Sequence, residues 1–164
     1  MWNVAMVLKL DDLTVSISHL DRNALLDDWR WLIGPTKIPL LITALGNAFV
    51  ADTADGAVYI IDAGPGTIER VAASRDEFRN RLRDKTFVVE HFVPKIVVRM
   101  REAGLPLQSG QLYGFKVPPS EGGEYSPDNL QPTDIQAHFA KLGQIHDRAR
   151  SPSEQTPSDV VTMD

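Results

Sequence analysis

IPLLITALGNAFVADTADGAVYIID, Ile38 to Asp62, is the stretch that decides the fold. It holds three short runs rich in β-branched and aromatic residues, IPLLITAL, AFVAD and AVYIID. They are punctuated by Gly46-Asn47 and by Asp55-Gly56, the second a strong hairpin dipeptide. Runs this short, joined by turns this tight, predict an antiparallel meander. Parallel strands would need long crossovers between them. DTADG, Asp52 to Gly56, lacks calcium-loop spacing, with alanine at its third position and glycine one place early. DAGPGT makes the next turn and TIERVA an edge strand. As a dinucleotide loop DAGPGTIE fails, because Glu69 stands where the third glycine belongs and no helix signal follows.

Outward from the meander the pattern turns helical. On the N-terminal side, Leu25, Leu26, Trp29, Leu32 and Ile33 recur at helical spacing before Gly34 and Pro35 stop the run. At ~100° per residue Trp31 lies about 200° from Trp29, so one tryptophan faces the core and the other points away. LTVSISHL, from Leu13, alternates like a strand with no partner evident. On the C-terminal side, Ser74 and Glu77 form a capping box, with Phe78 and Leu82 on the buried face. Val89, Val93, Ile96, Val97 and Met100 share a stripe that Pro94 must break or kink. LYGFKV is one more strand in a loop-rich segment. Thr133 and Gln136 open a last helix running to about Arg150. The expected fold is α+β: a single domain with an antiparallel curved sheet of about five strands and helices packed against it. Its expected divisions are an N-terminal segment 1–20, the α+β domain 21–150, and a polar, proline-bearing disordered tail 151–164.

Composition narrows the function. The chain has 164 residues, 43% hydrophobic and 24% charged, as in ordinary globular proteins. A net charge of -5 argues against direct nucleic-acid binding and suits a basic protein partner. With no cysteine, disulfides, thiolate nucleophiles and cysteine-held zinc are excluded. The opening MWNVAMVLKLDD is too short to span a membrane and lacks a cleaved-signal layout, so a cytoplasmic protein is expected.

No motif carries chemistry. There is no nucleophile elbow and no phosphate loop. Asp11-Asp12 and Asp27-Asp28 read as solvated faces, and His91 beside Glu90 is unremarkable. His146 falls on the apolar stripe of the last helix with Ile135, Phe139 and Leu142, as a hydrogen-bonded core histidine would. His138 lies about 80° away, so the pair cannot form an i, i+4 zinc motif. Asp134 can hydrogen-bond His138 or act as a first-turn acid on the helix dipole. No catalytic residue, cofactor or metal site is expected. Candidate partner-binding residues are Trp31, Tyr113, Phe115, Tyr125 and His138, since aromatics on outer faces and in loops are typical anchors. For Tyr113 and Tyr125 an equal alternative is a loop that folds back and buries them.

Three blocks carry a family resemblance: LLDDWRWLIGPTKIPLLITALGNAFVAD, GAVYIIDAGPGTIERVAAS and YGFKVPPSEGGEYSPDNLQPTDIQAHFAKLGQIH. From Asp21 to Arg150 the chain resembles a DUF1851-type domain. That domain also forms the C-terminal part of type VI secretion immunity proteins that protect against DNase effectors. The resemblance implies an α+β domain of the SUKH-like immunity class that binds and neutralises a toxin. Such two-domain immunity proteins carry a GAD-related domain ahead of this one, where here residues 1–20 precede the match. The family brings no catalytic residues to carry over. The expected function is therefore a non-enzymatic immunity protein occluding a protein toxin, a basic nuclease effector in particular. The alternatives are an enzyme or small-ligand protein with a site near the KVPP…GGEY loop, using Tyr113, Tyr125, His138 or His146, and a structural homo-oligomer built through Trp31. Gly143 is expected to permit close helix-to-sheet approach, and the glycines after KVPP a sharp reversal.

Overall fold

A computed structural model describes residues 8–150. The expected tail 151–164 and the first seven residues of the N-terminal segment lie outside them. The fold is α+β, with a five-stranded antiparallel sheet and a separate two-stranded one. The large sheet runs β1 (Thr14–Val15), β2 (Lys37–Thr43), β3 (Ala48–Asp52), β4 (Val58–Asp62) and β5 (Thr67–Ala72), each beside its sequence neighbour. This is the meander that the turn dipeptides imply. At the β3–β4 turn the Asp52 and Asp55 carboxylates accept the amides of Ala54 and Ala57, so both aspartates build the turn.

Membership of the sheet differs from expectation at both ends. LTVSISHL finds its partner in β2, where Thr14 opposes Thr43 and Val15 opposes Ile42. LYGFKV leaves the main sheet. As β6 (Gln111–Phe115) it pairs with β7 (Leu130–Asp134), and the Tyr113 amide ties it to the meander through the carbonyl of Ala44 at 2.7 Å. Pro132 hides β7 in the sequence, but a two-stranded sheet has only edges, where a missing N–H is tolerated.

Both faces of the meander are covered. Phe49, Val58 and Ile60 pack toward α2 (Arg75–Arg81), α3 (Lys85–Phe92) and α4 (Pro94–Glu102) through Phe78, Phe87, Phe92, Val97 and Met100. Ala48, Val50 and Ile61 point the other way, to Trp29, Ile135, Phe139 and Leu142. Double burial is why the run Ala48 to Ala51 is apolar throughout instead of alternating. The break at Pro94 is a true boundary: Val93 sits at φ 44°, in the left-handed region, ending one helix as Pro94 begins the next. Breaking the stripe turns Val89 to solvent, while Phe87 and Phe92 take the core positions.

The helix predicted around NALLDDWRWLI is much shorter. It comprises a 3-10 turn at Asp27–Trp29 and α1 (Arg30–Ile33). Leu25, Leu26, Trp29 and Ile33 are still buried, so tertiary packing satisfies the apolar pattern with less helix. The last helix, α5 (Ile135–Ala149), is as long as predicted, but its cap is Asp134 and not Thr133. The Asp134 carboxylate accepts the Ala137 amide at 2.9 Å.

Candidate functional site

The last helix reaches three places in the fold through named polar contacts. His138 Nε2 lies 2.9 Å from the carbonyl of Gly46, in the β2–β3 turn. His146 Nε2 lies 3.0 Å from the carbonyl of Ala63, in the β4–β5 turn. A carbonyl only accepts, so each ring carries its proton on Nε2. Between them, Trp29 Nε1–H donates to the Phe139 carbonyl at 2.8 Å, and its ring lies 5.7 Å from that of His146. The two histidines are clamps that hold successive turns of one sheet edge against one helix. His138 is fully enclosed, and burial, the leading cause, lowers its pKa to about 4, against the raising effect of the Gly46 hydrogen bond.

Other candidates are also committed within the fold. Tyr113 is 1% exposed, with its hydroxyl donating to Leu105 O at 2.6 Å. Half-buried Trp31 stacks on Trp29 and donates from Nε1 to Asp28 O and Gly143 O, with the Arg150 guanidinium 5.0 Å from its ring. Gly143 does allow a close approach, but to the Asp27–Trp29 turn and not the sheet: a Cβ there would stand 2.6 Å from the Asp28 carbonyl oxygen. Asp134 caps its helix and leaves His138 to Gly46.

The KVPP…GGEY loop is stitched by Asn129. Its amide accepts from Val117 N at 2.9 Å and donates to Val117 O and Glu124 O. The reversal needs glycine at 123, where a Cβ would lie 1.8 Å from Val117 O. So braced, the loop projects Tyr125 back over the meander. Its ring meets Phe115 edge-on at 5.2 Å and its hydroxyl donates to Leu45 O at 2.9 Å. Tyr125 as a whole is 37% exposed, while its hydroxyl turns inward to Leu45 O. Burial first, and then the nearby Asp62 carboxylate, push the phenol well above its ordinary pKa.

Beside Tyr125 opens a groove of about 430 Å³. Strand pairing builds its floor: Asp62 opposes Thr67 and Ile60 opposes Glu69, so alternation puts all four on one face. Glu90 and His91 close one wall from the end of α3, with Val93 and Ile96 following. His91 is fixed by its own packing, with its ring 4.4 Å from Phe87. Asp62 has its pKa raised, chiefly by burial, against the lowering effects of the Asn47 amide and His91; Glu69 adds to the rise. In the sequence Glu69 stands out only as a misfit in a dinucleotide loop, His91 beside Glu90 is unremarkable, and Asp62 is given no role. The available signal was the i, i+2 spacing of Ile60 and Asp62 on one strand and of Thr67 and Glu69 on the next.

The structure does not gather Tyr113, Tyr125, His138 and His146 into one site. Tyr125 lines this groove, Tyr113 a second one beside β1, and His138 a third beside Phe115. Among the described residues, no three His, Cys, Asp or Glu side chains come together to hold a metal ion, and no helix is long and apolar enough to cross a membrane.

Among curated proteins none matches the chain. The fold is similar to the crystal structure of Atu4351 from Agrobacterium tumefaciens, with a TM-score of 0.54 and 18% identity. The likeness covers 76% of this chain and 65% of that one, so the chain spans less than two thirds of that protein's length. At that identity the likeness concerns the fold alone. Residues 72–146, from the end of β5 through most of α5, match the family model for T6SS immunity protein Tdi1, C-terminal, and it is this immunity-protein type of domain that the chain is similar to.

Proposed function

We propose that this chain is an immunity protein that binds a bacterial toxin effector in the cytoplasm and blocks it by occlusion, without catalysing a reaction. The observation that carries the reading is the match of residues 72–146 to the type VI secretion immunity family. Two features agree with it. Three of the side chains that could do chemistry are engaged in architecture: His138 and His146 clamp turns, and Tyr113 is tied into the core. The net charge of -5 would also steer a basic nuclease toward the chain and speed association.

The direct test is protection. Co-expression with a type VI secretion toxin effector, sought among the products of neighbouring genes, should rescue growth of a sensitive host, and the two proteins should co-purify. Growth arrest that persists with the chain abundant and folded would sink the reading.

A second reading, a small-ligand protein, draws on the groove under Tyr125, whose volume is within the range of ligand pockets. Screening the purified chain against small cations and metabolites by thermal shift separates the two. A ligand that stabilises the chain and competes with no protein partner would favour the second.

A further inference from the structure

We infer that the groove between β4, β5, α3 and Tyr125 is the docking point for a lysine or arginine side chain of the protein partner. This deepens the immunity reading and rests on it. The groove combines the two surfaces that such a side chain needs. Ile60, Val93 and Ile96 offer an apolar lining for an aliphatic stem, and Asp62, Glu69 and Glu90 present carboxylates for the cationic head. Long basic side chains favour sites where the stem is covered and the charge is met.

Charge complementarity selects this occupant over an apolar or acidic one. Among the described residues, neither Asp62 nor Glu69 takes part in an ion pair, and Glu90 reaches only His91, at 4.0 Å. Some acids elsewhere find cations: Asp12 with Arg101, Asp52 with Lys37, Glu77 with Arg81. In the groove Asp62 and Glu69 share one sheet face instead, Asp62 half-buried and Glu69 exposed, with Glu90 on the helix wall. Burial is the chief cause of Asp62's raised pKa, and Glu69 adds to the rise against the lowering effects of Asn47 and His91. An incoming ammonium or guanidinium would relieve the repulsion between Asp62 and Glu69. The chain's overall charge of -5 points the same way. Tyr125 supplies a partly exposed ring at the rim, a favourable neighbour for a guanidinium.

The test uses the full ¹⁵N-labelled chain with hexa-arginine as probe, followed by NMR. Amide shifts should centre on residues 60–69 and 90–96 and weaken with added salt. The double substitution E69Q/E90Q, at two exposed positions, should lower the affinity roughly tenfold, as expected for two surface pairs. Shifts scattered over Asp11, Asp12, Asp27 and Asp28, or none at all, would overturn the assignment. So would shifts in the groove produced by spermidine and not by the peptide, which would give the site to a free polyamine. In cells, E69K/E90K should lose protection against the effector that wild type resists. Equal protection by both would refute the groove while leaving the immunity reading intact. Failure of wild type itself would refute the immunity reading, and the peptide map would then judge the groove alone.

Discussion

Acid should unlatch the last helix through His138. In the fold this ring is enclosed and neutral, with a pKa lowered from 6.5 to about 4. Above pH 6.5 neither the folded nor the unfolded chain binds the proton, so the clamp contributes in full. As pH falls from 6.5 toward 4 the unfolded chain takes up the proton and the folded chain does not, so stability is lost across that window. At 1.36 kcal/mol per pH unit of displacement, the loss is about 3 kcal/mol. That is a large part of a typical domain's stability, and roughly 6–12 °C in Tm for a chain of this size. Two lowered carboxylates, Asp12 and Asp52, carry the usual acid sign, but theirs is lost only as pH falls below about 4, under the His138 window. Asp62, whose pKa is raised, works the other way, with stability gained as it protonates. The comparison that isolates His138 is therefore between wild type and H138Q. Glutamine can still donate to Gly46 O, yet has no proton to gain. Urea unfolding at closely spaced pH values should show wild type losing about 3 kcal/mol more than H138Q between pH 7 and pH 4. Parallel curves for the two proteins would refute the argument.

Gly143→Ala should destabilise the chain by about 1–3 kcal/mol, because its Cβ would meet the Asp28 carbonyl at 2.6 Å and backbone must give way. Thermal unfolding reads this directly, and an unchanged Tm would mean that the turn moves aside freely. Asn129→Ala removes the three hydrogen bonds that close the KVPP…GGEY loop. Hydrogen exchange at Val117 and nearby amides should accelerate while global stability falls by only about 1–2 kcal/mol. Unaltered exchange there would show that the prolines alone hold the loop.

Legibility followed the range of the interactions. Asp55-Gly56 and the apolar runs around it made β3 and β4 readable, because a hairpin is local. The capping box at Ser74 was readable for the same reason: its side chain accepts the Glu77 amide three residues on. The pairing of Thr14–Val15 was not, since a two-residue strand leaves no pattern until β2 offers its edge. His138 was read as lying off the one apolar stripe, about 80° from His146, but α5 is covered on a second side by the β2–β3 turn, which a helical wheel cannot show. Trp31 read as outward-facing, yet Gly143 lets its helix come close enough for the indole to bond across. The groove was hardest to see. Its acids lie on β4, β5 and α3, and only strand register and helix packing bring them together.

Occlusion without catalysis has a stoichiometric signature. Increasing amounts of the chain, titrated into a fixed amount of the effector that it protects against, should lower effector activity in proportion and abolish it at a one-to-one ratio. Loss of activity at a small fraction of that ratio would mean that the chain acts as a catalyst on its target. Full activity at excess would mean that it is no inhibitor of that effector.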